Sequence, residues 1–237
     1  MAYIEGFVAA VPNTSKEAYL RHAAESVAMF KEFGATRQVE AWGDDIPNGK
    51  VTDFNGAVRA RPDETVVFAW LEYPDKATRD KANEKMRNDP NMKELGAQMP
   101  FDGQRMIFAG FTPINDTGKA AKPGYIDGVL VAVPEANKDA YRELADKYAA
   151  IFKEHGASRT VDAWGDDVPE GKVTDFKGAV KATVGEQVVY SWVEWPSREA
   201  RDAGWEKIMA DPRMKSLKMP FDGQRMVYGG FAPLLDQ

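Results

Sequence analysis

One octapeptide, Met-Pro-Phe-Asp-Gly-Gln-Arg-Met, occurs twice without change in this chain, at residues 99–106 and at residues 219–226. The interval of about 120 residues is much longer than a solenoid unit and matches the size of a small domain. The flanking sequence repeats as well, because Trp-Gly-Asp-Asp stands at residues 42–45 and again at residues 164–167. The chain is therefore a tandem duplication, and its fold must be built from two similar halves.

Each half shows the same order of segments: strand, helix, strand, strand, helix, strand. Runs of β-branched and aromatic residues closed by proline predict the strands, and apolar residues at helical spacing closed by glycine or Asp-Pro predict the helices. The strands of the first half are predicted at 3–11, 36–42, 65–73 and 105–111, and its helices at 15–33 and 75–88. The matching segments of the second half include strands at 125–133, 187–195 and 225–231 and helices at 137–156 and 197–210.

This order of segments is typical of the ferredoxin-like fold. We therefore predict an α+β protein with two ferredoxin-like βαββαβ repeats, at residues 1–116 and 124–237. The segment 115–124 is polar and contains glycine and proline, which predicts a linker between the repeats.

Charge and composition exclude several classes of partner. The net charge of −6 and the lack of a dense Lys/Arg run argue against binding to nucleic acid. No apolar run is long enough to cross a bilayer and the first residues are not a targeting segment, so we expect a cytoplasmic protein with no membrane partner. The absence of cysteine removes thiol nucleophiles, disulfides and thiolate metal sites.

The repeated motifs resemble those of the YbaA-like bacterial proteins, a family built on a domain of unknown function. The motifs that match are residues 42–45, 50–54, 70–72 and 99–106, together with their copies from Trp164 onward. The resemblance implies the dimeric α/β-barrel architecture, in which two ferredoxin-like sheets close on each other. Since this chain carries both halves, it would form that barrel within one molecule, as a monomer with an internal pseudo-dimer. The family implies no activity.

Alternate residues of a strand point to opposite faces of the sheet, and aromatic residues alternate with carboxylates on one face of three predicted strands. We place this face in the barrel and treat it as a candidate ligand site. Its members in the first half are Tyr3, Glu5, Glu40, Trp42, Phe68, Trp70 and Glu72. Its members in the second half are Tyr125, Asp127, Asp162, Trp164, Tyr190, Trp192 and Glu194.

Two interpretations of that face stay open. It could line an acidic, aromatic barrel cavity that binds a neutral polar or cationic small molecule and could serve a cofactor-independent enzyme. Alternatively, the aromatic residues fill the interface, the carboxylates pair with arginine, and the protein is a structural or stress-related binding module. No catalytic residue is assigned in either case.

Arg105 and Arg225 in the repeated octapeptide are further candidates. Each could anchor a ligand carboxylate or phosphate at the barrel rim, or could simply pair with the aspartate of its own turn. The Asp44-Asp45 loop could hold a hard cation or only form a turn. His22 and His155 do not occupy equivalent positions, and no serine-hydrolase, phosphate-loop or dinucleotide motif is present, so we expect no cofactor or metal.

Overall fold

The structure, a computed structural model, describes residues 2–237, and each half contains the predicted order of elements. The first half consists of strands β1 (Tyr3–Pro12), β2 (Arg37–Asp45), β3 (Glu64–Tyr73) and β4 (Ile107–Gly118) and helices α1 (Lys16–Glu32), α2 (Phe54–Ala57), α3 (Lys76–Asn88) and α4 (Pro90–Ala97). The second half consists of strands β5 (Tyr125–Pro134), β6 (Arg159–Asp167), β7 (Glu186–Trp195) and β8 (Val227–Asp236) and helices α5 (Lys138–Glu154), α6 (Phe176–Ala179), α7 (Arg198–Ala210) and α8 (Pro212–Ser216).

The eight strands form one closed antiparallel barrel in the order β1-β3-β2-β8-β5-β7-β6-β4. Within each half the strand order, β4-β1-β3-β2 or β8-β5-β7-β6, is that of the ferredoxin-like fold. The predicted α+β barrel within a single chain is therefore confirmed.

The last strand of each half joins the two repeats. The beginning of β4 pairs with β1, and its continuation from Phe111 to Gly118 pairs with β6 of the second half. In the same way, the beginning of β8 pairs with β5 and its continuation pairs with β2 of the first half. The prediction of a linker over 115–124 is therefore wrong for residues 115–118, which belong to β4; this polar stretch is held by cross-strand contacts such as the 2.6 Å hydrogen bond between the hydroxyls of Thr117 and Thr160.

Two short helices, α4 and α8, follow the Asp-Pro pairs at which the sequence predicted only a helix end. Asp89 accepts a 2.7 Å hydrogen bond from the backbone N–H of Asn91, and proline stands in the first turn of α4. An aspartate cap followed by proline at the first helical position starts a helix as readily as it ends the preceding one. This additional helix contributes to the cavity described below.

The strand faces differ from the prediction in β1, β2 and their copies. The barrel core contains Phe68 and Trp70 of β3, as expected, but β1 contributes Ile4 and Val8, and β2 contributes Val39. The outer face, under the helices, carries instead the residues that were expected inside: Tyr3, Glu5, Glu40, Trp42, Tyr125, Asp127, Asp162 and Trp164. Both faces of β1, β2 and their copies are largely buried, so hydrophobicity could not tell the interior from the helix-covered side.

Aromatic side chains from both repeats fill the barrel. The rings of Phe68 and Tyr190 stack at 4.5 Å between centroids, and those of Trp70 and Trp192 lie 4.4 Å apart. Gly6 faces this stack, and a β-carbon there would stand only 2.9 Å from the Tyr190 ring. The centre of the barrel is therefore a packed interface between the two halves, as the second interpretation of the aromatic face required.

Candidate functional site

An ion network lies inside the barrel beside the tryptophan pair. Arg37 donates to Glu194 at 2.8 Å and to Glu72 at 3.2 Å, while Arg159 donates to Glu72 at 2.7 Å. The indole N–H of Trp192 donates to Glu194 at 3.1 Å, and Trp70 makes the equivalent bond to Glu72. Burial opposes ionisation of Glu72, but the hydrogen bonds and charge of Arg159 are stronger and lower its pKa. These carboxylates hold the two repeats together.

In both halves the repeated octapeptide forms a turn whose arginine is bonded to two carboxylates. Arg105 donates to Glu64 at 2.6 Å and to Asp102 of its own turn at 3.0 Å. Arg225 makes the same contacts with Glu186 and Asp222. Both guanidinium groups are therefore engaged by carboxylates of the chain. That pairing accounts for them without a ligand, and an anchoring role stays a prediction.

The Asp-Asp loops make contacts between the two repeats. Asp44 accepts a 2.8 Å hydrogen bond from Tyr125 and lies 2.7 Å from Arg198. Asp45 pairs with Arg201 at 3.0 Å, and the copy of this loop makes corresponding contacts with Tyr3 and Arg79. Across residues 2–237 no group of three or more His, Asp or Glu side chains is placed to hold a metal ion.

A cavity of about 440 Å³ lies in the first repeat, between the outer face of its sheet and helices α1, α3 and α4. Val67, Ala69 and Leu71 of β3 line it from the sheet side. Much of the remaining lining is apolar and includes four methionines, Met86, Met92, Met99 and Met106, whose unbranched side chains adapt to ligands of different shape. The cavity is also lined by Phe7 of β1, Phe108 of β4, and His22, Phe30, Leu95 and Phe101.

Glu40 and Tyr19 form a polar corner of this cavity. The Tyr19 hydroxyl donates to Glu40 Oε2 at 2.6 Å, and the Gln38 amide donates to Glu40 Oε1 at 2.9 Å. Burial raises the pKa of Glu40, with only these two neutral donors acting against the shift. The corner therefore presents a carboxyl group that gains a proton more easily than an exposed glutamate does.

Glu5 lies on the other side of β3 and also lines the cavity. It is 4% exposed and accepts one hydrogen bond, at 2.9 Å, from the side chain of Asn83. Burial raises the pKa of Glu5, and the Asn83 hydrogen bond and the Arg79 charge oppose this only in part. Three of the predicted site residues, Glu5, Glu40 and Trp70, thus line one cavity, and the two carboxylates do so from outside the barrel.

The same place in the second repeat is occupied by larger side chains. Trp205 replaces Asn83, and its indole N–H donates to Asp127 at 2.8 Å. The Trp205 ring also packs against Phe152 at 5.1 Å between centroids. Tyr148 stands where the first repeat has Ser26, and Leu144 where it has His22. The two repeats share a fold, but at these positions the second repeat carries larger side chains than the first.

Several cavity residues were not among the sequence candidates. The prediction did not include Gln38 of β2, nor Tyr19, Ser26 and Asn83, which lie on helices. A helix position facing a cavity has the same spacing as one facing a core. The contrast between the repeats was the available signal. At some equivalent positions one repeat has a small or polar residue and the other a large one, as at Asn83 and Trp205. Such a difference indicates where one repeat contains a cavity.

Solved structures of similar fold include proteins with enzyme names. The "putative monooxygenase" of Fusobacterium nucleatum has a TM-score of 0.62 and 10% identity, covering 100% of this chain and 94% of that one. A protein of the same name from Lactobacillus acidophilus has a TM-score of 0.57 and 11% identity, covering 99% and 95%. An anthrone oxidase-like protein has a TM-score of 0.53 and 11% identity, covering 100% and 92%. These likenesses show the fold.

Sequence comparison gives the family. The uncharacterised protein YbaA of Escherichia coli K12 is 59% identical over 115 residues, which cover 48% of this chain and 98% of YbaA. YbaA of Shigella flexneri matches to the same extent. In residues 2–237 no helix is long and apolar enough to span a membrane. The family described as "Protein of unknown function (DUF1428)" matches residues 2–103 and 124–223, and this chain therefore belongs to that family, with one copy of its domain in each half.

Proposed function

We propose that the first repeat binds a largely apolar small molecule in the cavity between its sheet and helices α1, α3 and α4. One observation carries the proposal: the cavity of about 440 Å³ is open in the first repeat, while Trp205 and Tyr148 occupy the equivalent place in the second. The two copies of the domain have the same fold but differ at this place, and this difference supports a role for the cavity other than in folding.

The size and lining of the cavity support the same function. Ligand pockets commonly measure roughly 300 to 1,000 Å³ and combine apolar walls with a few convergent polar groups. Here the methionine and phenylalanine side chains supply the walls, and Glu5, Glu40 and Gln38 supply the polar groups. The ligand is therefore an apolar molecule with at least one hydrogen-bond donor.

Fluorescence of N-phenyl-1-naphthylamine, a neutral dye that brightens in apolar surroundings, tests this proposal. We expect saturable binding to the wild type and a loss of at least tenfold in affinity for Asn83→Trp, which places the second repeat's side chain in the cavity. Asn88→Trp is the matched control, because Asn88 is exposed on the same helix and adds the same ring outside the cavity. Equal binding by all three proteins would contradict the proposal.

The reciprocal variant adds a gain of function. Trp205→Asn removes the ring that packs on Phe152 and donates to Asp127, and so should open a second site. We expect the dye stoichiometry to rise from one towards two per chain. An unchanged stoichiometry, with the variant folded, would mean that Trp205 does not close an equivalent cavity.

A second candidate function is cofactor-independent catalysis in the same cavity. Burial raises the pKa of Glu40, and a carboxyl group with a raised pKa is a suitable proton acceptor for a weakly acidic substrate. Anthrone is a reasonable first substrate given the name of one structural neighbour. Its oxidation consumes one O₂ and gives anthraquinone and one water. Oxygen uptake with anthrone that is lost in Glu40→Gln would support catalysis, and uptake equal to that of buffer would argue for binding alone.

A further inference from the structure

We infer that the cavity of the first repeat selects an aromatic cation, such as a protonated arylmethylamine, over an aromatic anion of the same size. This inference rests on the proposed function and names the class of its ligand. It is carried by the two carboxylates of the cavity, neither of which accepts a hydrogen bond from a cationic side chain.

Glu5 differs from its counterpart in the second repeat in how many donors reach it. Asp127 accepts hydrogen bonds from Trp195, Trp205 and Arg201, at 2.8, 2.8 and 2.9 Å. Glu5 accepts one, from Asn83. A carboxylate has about four acceptor positions, so Glu5 keeps unused acceptor capacity beside the cavity.

Arg79 does not supply the missing bonds. It points to Asp167 at 2.8 Å and to the Tyr3 hydroxyl at 3.0 Å, and its Nε atom lies 3.8 Å from Glu5. That Nε is buried and makes no hydrogen bond in the described chain. The equivalent Arg201 donates a hydrogen bond directly to Asp127, whereas Arg79 stands near Glu5 without a hydrogen bond to it.

Glu40 provides the second carboxylate. Its hydrogen-bond donors are the neutral Tyr19 and Gln38, and among residues 2–237 no lysine, arginine or histidine lies within 4.0 Å of its carboxylate. Glu5 pairs with Leu71 and Glu40 with Ala69, so the two acids stand on opposite sides of β3. Two strand spacings and a two-residue offset along β3 separate their backbones by about 12 Å, so an aromatic ligand lying over β3 has a carboxylate towards each side.

The charges next to the cavity do not reverse the preference for a cation. A polar hollow of about 510 Å³ adjoins it and shares Glu5, Asn83, Arg87 and Phe108 with it. Besides Glu5 it carries Asp80, Asp166 and Asp167 against Lys76, Arg79 and Arg87. Four acids against three bases leave no excess of positive charge to draw in an anion.

The apolar wall suits an aromatic cation as well. Methionine sulfur and phenylalanine rings make favourable contacts with aromatic groups, and aromatic ring faces attract cations. An aromatic anion would instead place its charge beside two buried carboxylates in a largely apolar space, where like charges repel strongly. Arg87, the arginine that lines the same cavity, is exposed to solvent, which weakens its attraction for an anion. The shape of the cavity would accept either the aromatic cation or the aromatic anion, so its charge decides which one binds.

Three naphthalene compounds of nearly equal size test the inference by isothermal titration calorimetry at pH 7: 1-naphthylmethylamine, 1-naphthalenemethanol and 1-naphthoic acid. We expect the amine to bind about ten- to a hundredfold more tightly than the alcohol, the range expected for one or more hydrogen bonds to a charged group. We expect the acid to bind more weakly than the alcohol.

Isosteric variants assign the effect to the carboxylates. Glu5→Gln and Glu40→Gln should each reduce the ratio of the amine affinity to the alcohol affinity, and the double variant should bring that ratio close to one, because glutamine keeps the shape and an acceptor oxygen but removes the charge. Equal affinity of the wild type for amine and acid, with all binding lost in Asn83→Trp, would overturn the charge selection and leave the binding function standing. Binding of the dye and of all three compounds that Asn83→Trp leaves unchanged would instead overturn the binding function itself.

Discussion

Replacing Glu194 by glutamine tests whether the ion network inside the barrel holds the two repeats together. Glu194 is fully buried, and its Oε1 accepts from Arg37 at 2.8 Å, from Trp192 at 3.1 Å and from Arg159 at 3.4 Å. Glutamine keeps the shape but removes the charge, and it turns a donor towards at least one guanidinium group.

The expected loss of stability depends on the ion pairs that the two arginines keep in the variant. Breaking an isolated buried ion pair costs about 3 to 5 kcal/mol, because the surviving charge stays buried without a partner. Here Arg37 keeps Glu72 and Asp236, and Arg159 keeps Glu72 and Asp116. With part of the compensation retained, we expect a loss of about 2 to 3 kcal/mol in the free energy of unfolding.

Glu40→Gln is the matched control, because it makes the same substitution at a buried glutamate that contacts only neutral donors. Its effect should stay within about 1 kcal/mol, since losing a charge that burial disfavours offsets the altered hydrogen bonds. Urea unfolding at pH 7, followed by tryptophan fluorescence and circular dichroism, gives both values. If Glu194→Gln proved as harmless as Glu40→Gln, the network would not stabilise the barrel and this reasoning would be wrong.

Three further predictions concern the barrel and its rim. Trp70→Ala should lower the free energy of unfolding by about 3 to 5 kcal/mol in urea melts, because the ring is fully buried against Trp192; a change below about half a kcal/mol would contradict its placement. Residues 1–118 expressed alone should sediment as a dimer, since the end of β4 and the free edge of β2 lose their partners, and a well-folded monomer would contradict the shared barrel. The Arg105 hydrogen bonds lower the pKa of Glu64 from 4.5 to about 2, so its stabilising contribution is complete above pH 4.5 and declines as the pH falls towards 2. Glu64→Gln should therefore flatten the acid side of a plot of unfolding free energy against pH, and an unchanged slope would count against the pairing.

Much of the fold could be predicted because local signals agreed with the duplication. A proline at the end of β1, a proline just after β3 and a glycine after α1 mark boundaries in both copies, so the two halves gave the same prediction. The interior position of Phe68, Trp70 and Glu72 also followed from strand alternation. Alternation divides the residues of β3 into an aliphatic face and an aromatic face, and the aromatic face lies inside the barrel.

The same alternation could not assign the faces of β1 and β2. Helices cover the outside of the barrel, so both faces are buried, and Arg37 lies inside while Glu40 lies outside. A buried arginine inside a barrel is stable only with the carboxylates of the other repeat, which are distant in sequence. The location of the cavity was missed for this reason, because it depends on which face meets the helices and on the unpredicted helix α4.

A crystal structure of the full chain with bound N-phenyl-1-naphthylamine tests the central claim most directly. The account predicts ligand density over Ala69 in the first repeat, between Glu5 and Glu40 and against the methionine wall, with the equivalent place in the second repeat filled by Trp205. Density within the barrel, at the tryptophan pair, or equally in both repeats would contradict it.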